Sequence, residues 1–412
     1  MKHLAIAEYF INIGKAILIL AFAKFMYDET GQIWQISLTF LAEVVTSSLL
    51  PLIIGKAVDE HGVRRILVGS AAGHVLFCLI GVGLIYKYGA TASLLLMISV
   101  SLSLLWPISR MALFSITPQL SSEAALEKDN GKLTTAFQAG QFTGMVAAAW
   151  LLDQFGFIVI LGLTTVIYFI ATVFYITATQ ALKVKESSKV QKQDDAANHV
   201  SFIELVKQSK PFIPAFFLSN FDFVTVAIFN ILLVSVVAIN FDGSTYWLAG
   251  LDAAYAIGAM FGGLVVARQF RGKKTSIRDV MLIQFLFLGY LIISVNSSAK
   301  YLMILAIVLV GGFQSFSGIY WRTYLQTHMP SHIIGRLTGI KYIISSFHIG
   351  LIVMIVSFAH EISFDMAIFI SIALTAFQIV MLIIHKQNSD KKKALVQAQK
   401  IGIVVDPVVA KE

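Results

Sequence analysis

Eight ionisable side chains fall inside long apolar runs of this 412-residue chain: Glu8, Lys15, Glu43, Arg110, Asp222, Asp252, Arg322 and Lys341. Placing such a group in hydrocarbon costs at least a few kcal/mol, so those that occur face a water-filled cavity or a partner. The carboxylates are candidates for binding and releasing protons. Desolvation raises a carboxylate pKa and a nearby cation lowers it, so an arriving cationic solute can expel the proton. Glu8, Asn12 and Lys15 are spaced four and three apart, which stacks them on one helix face over two turns, about 10 Å. Glu43 and Asp252 stand 12 and 11 residues before Gly55 and Gly263, nearly equivalent places. His348 lies seven residues from Lys341 on the same face and is the one histidine placed for proton coupling. His74, His328, His360 and His385 are too scattered for a metal site, and no cysteine–histidine spacing suggests one. Two readings of the charges stand side by side: substrate and proton contacts, or fixed ion pairs such as Glu8 with Arg110 and Asp222 with Arg322.

The elements that position these groups follow from composition. With 57% hydrophobic and 13% charged residues and a mean hydropathy of +0.80, the chain has too few charges to solvate a globular surface. A span needs about 20 residues to cross about 30 Å of hydrocarbon. Twelve candidate helical spans follow, at 4–27, 33–57, 65–87, 92–118, 134–156, 158–181, 211–239, 245–267, 279–297, 300–326, 337–359 and 364–385. With both termini cytoplasmic, 24 of the 31 Lys and Arg lie on the cytoplasmic side and only Lys24, Lys87 and Lys300 on the other. That asymmetry sets the topology and accounts for the net charge of +8 without nucleic acid. The first run is too long and too polar in its middle for a removable signal peptide. Cys78, the sole cysteine, cannot form an intramolecular disulfide.

The longest polar interruption divides the chain into a six-span half at 1–181, a linker at 182–210, a second half at 211–387 and a tail at 388–412. In the linker, Phe202, Leu205 and Val206 among Glu204, Lys207 and Lys210 predict a short amphipathic helix at the membrane surface. The halves repeat one another. Arg110, Pro118 and Gly131-Lys132-Leu133-Thr134 are matched by Arg322, Pro330 and Gly335-Arg336-Leu337-Thr338.

Between spans two and three lies Gly55-Lys-Ala-Val-Asp59-Glu-His-Gly62-Val-Arg64-Arg65. It resembles the signature loop of the major facilitator superfamily, with Glu60 and Val63 standing where that family carries basic residues. The resemblance implies an all-α membrane protein of twelve helices in two pseudo-symmetric six-helix bundles, with spans one, four, seven and ten lining a central cavity. It also implies that Gly55, Asp59, Gly62, Arg64 and Arg65 form a gating loop. Asp59 is then expected at the N-terminus of span eleven, near Gly335–Thr338, where the helix dipole favours a carboxylate. The stretches Pro330–Gly339 and Asp129-Asn130-Gly131 resemble loops of macrolide-efflux and enterobactin-exporter-like proteins. The antiporter motif of span five is incomplete, since Gly140-Gln-Phe-Thr-Gly144 continues with Met145. In span ten, Gln314, Tyr320, Trp321, Tyr324 and Gln326 surround Arg322 and, with Trp106 and Tyr342, are candidates to line an amphipathic pocket.

These expectations converge on an inner-membrane secondary transporter, a monomer without a cofactor. It would move a small organic solute by alternating access, with protons as the coupling ion and efflux of a drug-like or siderophore-like compound as the leading version. The alternative is proton-coupled import of a metabolite or ferric siderophore. A membrane-embedded enzyme lacks support, as no Gly-x-x-x-x-Gly-Lys-Ser/Thr loop is present. A channel would need a filter between matched pore segments.

Overall fold

A computed structural model describes residues 1–30, 47–180, 182, 202–242, 245–269, 274–295 and 300–400. Among these, the first half contributes α1 (Lys2–Thr30), α2 (Pro51–His61), α3 (Val63–Tyr88), α4 (Ala92–Leu120), α5 (Leu126–Gln154) and α6 (Phe157–Ala178). A short α7 (Phe202–Ser209) follows, then α8 (Ile213–Leu218), α9 (Phe221–Asn240), α10 (Thr245–Ala267), α11 (Ile277–Ser294), α12 (Lys300–His328), α13 (Ile334–Ile362) and α14 (Phe364–Lys400). No strand occurs among the described residues. This is what lipid demands, because a helix satisfies its own backbone hydrogen bonds.

Ten helical stretches among the described residues are long and apolar enough to span a bilayer. The 29-residue α5 is not one of them, as Gln138, Gly140, Gln141 and Gly144 interrupt its apolar run. Most of the expected span at 33–57 falls at 31–46, outside the described residues. Local chemistry sets the boundaries. Pro51 opens α2, where a missing N–H costs nothing. Gly62, at φ +85°, makes the turn from α2 to α3 that a side chain would strain. Ser276 and Asp279 form a capping box on α11.

The seventh span, expected over 211–239, lies in one stretch long and apolar enough to cross, with a local interruption at Ser219 and Asn220 between α8 and α9. There the Ser219 hydroxyl donates to the Phe216 carbonyl, and the Asn220 side-chain oxygen accepts from Ser345 of α13. Polar side chains that compete for backbone partners weaken a helix locally.

Each half has its own apolar core. One gathers Leu4, Ile11, Leu67, Met111 and Tyr175, the other Ile228, Phe287, Tyr290, Ile307 and Val356. A third core, around Phe216, Phe221, Trp321, Leu325 and Leu337, takes in Leu52 and Phe114 from the first half. Outward faces carry large apolar side chains such as Trp150, Phe358 and Phe369, as helices bathed in lipid do. The halves touch chiefly where α2 packs on α13 and α5 on α10. Both contacts are made by glycine. A Cβ on Gly55 would collide with the Gly335 carbonyl, and one on Gly131 would lie 2.7 Å from the Ala267 nitrogen. Gly55 and Gly263, and likewise Gly335 and Gly131, are counterparts in the repeat read from the sequence.

Candidate functional site: a charged interior and a closed end

Glu8 of α1 is 2% exposed and gathers donors from three helices. Arg110 Nη1 of α4 lies 2.9 Å from one carboxylate oxygen and Tyr175 Oη of α6 lies 2.5 Å from the other. One turn along, Asn12 Nδ2 donates to the Glu8 backbone carbonyl at 2.6 Å. The Arg110 guanidinium sits over the Phe137 ring at 4.7 Å and near the Trp106 ring at 5.5 Å, while Lys15 Nζ is 3.7 Å from the Trp106 centroid. Arg322 of α12 is within electrostatic reach of Arg110, Glu8 and Tyr342. The polar stripe of α1 therefore meets α4, α6 and α12.

Asp222, at 1% exposure on α9, accepts from Ser317 Oγ of α12 at 2.6 Å. Lys341 of α13 is the cation in its electrostatic reach, and Lys341 in turn feels Arg322. Of the two pairs weighed from the sequence, Glu8 with Arg110 is formed. Asp222 instead accepts from the Ser317 hydroxyl of α12 and has Lys341 within electrostatic reach. Nearby, Thr225 Oγ1 donates to Gln284 Oε1 at 3.2 Å, while Asn220 Nδ2 and Gln284 Nε2 are buried without a hydrogen-bond partner. His348 stacks on Phe217 with centroids 4.3 Å apart, its Nδ1 also buried without a partner. Asp252 is half-buried on α10 and couples electrostatically to Tyr255, which also feels Asp222. Glu43 lies outside the described residues.

At the end of the molecule that carries the α2–α3 turn, Asp59 accepts from the first-turn amides of α13. Gly335 N is 2.8 Å and Arg336 N 3.0 Å from its two oxygens. A helix N-terminus offers such unpaired amides to an anion. Burial nevertheless pushes the Asp59 carboxyl up to about 7, the two amide bonds and the Arg336 charge pulling the other way. Sequence reasoning passed over Glu60 as a partner: Arg336 Nη2 lies 2.8 Å from it and Lys56 Nζ 3.8 Å. Arg65 is exposed, and Arg64 has its Nε buried without a partner. The cation at this contact comes from α13, not from the turn.

A second polar bridge was also missed. Asn130 Nδ2 of α5 donates to Thr323 Oγ1 and Gln326 Oε1 of α12 at 2.9 and 2.8 Å, and Gln326 Nε2 donates to the Phe114 carbonyl of α4 at 2.7 Å. Glu127 accepts from the Thr275 amide. Gln326 thus joins the halves, and Trp321, 2% exposed, belongs to the third core. The sequence signals near this place were the Asp129-Asn130-Gly131 stretch with its repeated glycine and Gln326 among the residues around Arg322, but neither paired Asn130 with Gln326.

Two packed helical sets, buried charges at their junction and one closed end define a multi-pass membrane transporter. A family model described as Major Facilitator Superfamily matches residues 4–353, and the chain belongs to that family. It is a transporter and not an enzyme. Among solved structures it is similar to a bacterial homologue of the iron transporter ferroportin in an outward-facing state with soaked iron. That likeness has a TM-score of 0.71 at 14% identity and covers 93% of this chain and 98% of that one. It is also similar to the Escherichia coli fucose:proton symporter, with a TM-score of 0.64 at 12% identity, covering 93% and 97%. No curated protein sequence matches the chain.

Proposed function

We propose that this transporter exports a drug-like or siderophore-like organic solute across the inner membrane, as a monomer, in exchange for protons. Its six-helix halves, 1–181 and 211–387, would rock about the charged interior, with both termini in the cytoplasm. On that orientation the closed end is cytoplasmic and the conformer faces outward.

The observation that carries the coupling is Asp222: buried, hydrogen-bonded by the Ser317 hydroxyl, with Lys341 in electrostatic reach and a helix break two residues before it. Desolvation and a nearby cation act in opposite senses on a carboxylate. A small movement of α13 relative to α9 would therefore change whether Asp222 holds a proton. Among the described residues, Arg110 pairs with Glu8, Arg322 feels Glu8 and Lys341 feels Asp222, three cations to two carboxylates, which supports a solute with acidic character.

Proteoliposomes with an imposed pH gradient test this. Wild type should move a candidate solute against its own gradient, with direction set by the proton gradient. Asp222→Asn should keep downhill exchange and lose the response to pH, and Glu8→Gln should weaken both. Gradient-driven flux unchanged in both variants would remove these carboxylates from coupling. Cells lacking the chain should retain an acidic chelator, and normal secretion would reject the siderophore version.

A further inference from the structure

A cavity of about 60 Å³ lies inside the first half, walled by α1, α3, α4 and α6. One water needs roughly 10–15 Å³ of such space and fills about 30 Å³ of liquid, so the cavity has room for about four waters or one benzene-sized ring. Among the described residues much of its wall is apolar, with Leu18, Phe22, Leu102 and the Trp106 ring. Lys15 also borders it, its ammonium already engaged over Trp106 at 3.7 Å from the ring centroid. Two uncharged polar rings line the cavity, His74 and Tyr168, each 3% exposed and 5.0 Å apart. Gly14 of α1 fixes the Tyr168 ring in place, since a side chain there would collide with it. His74 Nδ1 lies 2.8 Å from the Ser70 carbonyl. A carbonyl oxygen only accepts, so Nδ1 carries the proton, and the distal Nε2 of the neutral ring is an acceptor. Among the described residues neither that Nε2 nor the Tyr168 hydroxyl has a hydrogen-bond partner. Buried polar groups are nearly always paired, so an idle acceptor and an idle donor facing one cavity point to an occupant.

We propose that this cavity is a subsite for a phenolic ring of the transported solute. The phenol hydroxyl donates to His74 Nε2 and accepts from the Tyr168 hydroxyl, which completes both. Its ring packs among Phe22, Leu102 and Trp106, where aromatic contacts add to the burial of apolar surface. A hydroxyl answers a donor and an acceptor at once, which a carboxylate, having only acceptors, cannot do. Methylating that hydroxyl leaves Nε2 unmatched, and a site built around a hydrogen bond rejects the analogue lacking it. Trp106 also lies 5.5 Å from the Arg110 guanidinium, so a ring seated here borders the charged interior. The subsite rests on the carrier proposed above, but equilibrium binding reads it independently of flux.

The test is saturable binding of three ring probes to the purified full chain in detergent, read by fluorine NMR against protein-free micelles. The probes are 4-fluorophenol, 4-fluoroanisole (hydroxyl methylated) and 1,4-difluorobenzene (hydroxyl replaced by fluorine). On wild type, 4-fluorophenol should bind roughly fivefold tighter than 4-fluoroanisole and about tenfold tighter than 1,4-difluorobenzene. His74→Phe keeps a ring but removes the acceptor, and should bring 4-fluorophenol and 4-fluoroanisole level. Tyr168→Phe should weaken 4-fluorophenol about threefold yet leave its lead over 4-fluoroanisole. The probe series on wild type stands even if a variant fails to fold. Equal binding of all three probes, or no saturable binding of 4-fluorophenol, would overturn the subsite. So would a folded His74→Phe protein that keeps the full preference. The expected order without gradient-driven flux would reject proton coupling and keep the subsite; coupled flux without that order would do the reverse.

Discussion

Glu8 is the residue on which the first half turns. Arg110 and Tyr175 reach its carboxylate from two other helices, and the group is almost wholly out of water. Removing one partner of a buried ion pair leaves the other charge uncompensated, at about 3–5 kcal/mol. The Arg110 side chain retains 17% exposure, which places Glu8→Ala near the lower bound. We expect Glu8→Ala to lose about 3 kcal/mol in denaturant unfolding of the detergent-solubilised protein, and Tyr175→Phe about 1 kcal/mol. An unfolding curve for Glu8→Ala that overlays wild type would mean that the pair does not tie α1 to α4 and α6. The stripe of Glu8, Asn12 and Lys15 was legible from spacing, because spacing sets which side chains share a face. Tyr175 was not, since nothing in the spacing of α6 says which neighbour its hydroxyl meets.

At the scale of elements, α2 and α13 approach until backbone meets backbone. Gly55→Val would drive two branched methyl groups into the Gly335 carbonyl, backbone that cannot rotate away. The expected outcome is separation of α2 from α13, read as faster alkylation of a cysteine introduced by Leu52→Cys, on the same face of α2. Gly83→Val, at a glycine with nothing within 4 Å of an added Cβ, should leave that rate at the wild-type value. Equal rates in both variants would show that the glycine contact does not hold this end closed. The companion contact of α5 and α10 differs in one respect. Ala267 stands four residues after Gly263, as Asp59 stands four after Gly55, so one contact carries a carboxylate and the other a methyl. The repeat was readable in the sequence; this difference acquires meaning only once both contacts are seen to join the halves.

For the whole molecule, Asp59 links pH to the balance of conformers. Its carboxyl is raised to about 7 at the closed end, against 3.8 when freely hydrated. A raised pKa means that the closed arrangement binds the proton more tightly. Its advantage over an arrangement that frees Asp59 is therefore fully present below about 3.8, falls as pH rises, and levels off above about 7. Spin labels introduced by Glu123→Cys and His332→Cys, exposed on opposite halves, should show a long-distance population that grows between about pH 4 and 7 and then levels off. Asp59→Asn should abolish the trend. A distance distribution that ignores pH in the wild type would exclude this linkage.

The sequence by itself determined that the chain is a helical membrane protein of the family it belongs to, with charges in its interior. In lipid each segment must satisfy its own backbone, so length, apolarity and the position of a polar stripe are local properties that residues in order reveal. It also showed Asp59 and the repeated Gly131 and Gly335, because each belongs to a motif that is continuous in sequence. Only the tertiary structure decided that Asp222 meets Ser317, with Lys341 rather than Arg322 as the cation in its reach, and that Glu60 holds Arg336. It alone showed the break at Ser219 and Asn220 and the cavity around Lys15 and His74. Those outcomes depend on how far each helix rotates and tilts against its neighbours. Packing across the whole bundle sets that rotation, and no single span encodes it.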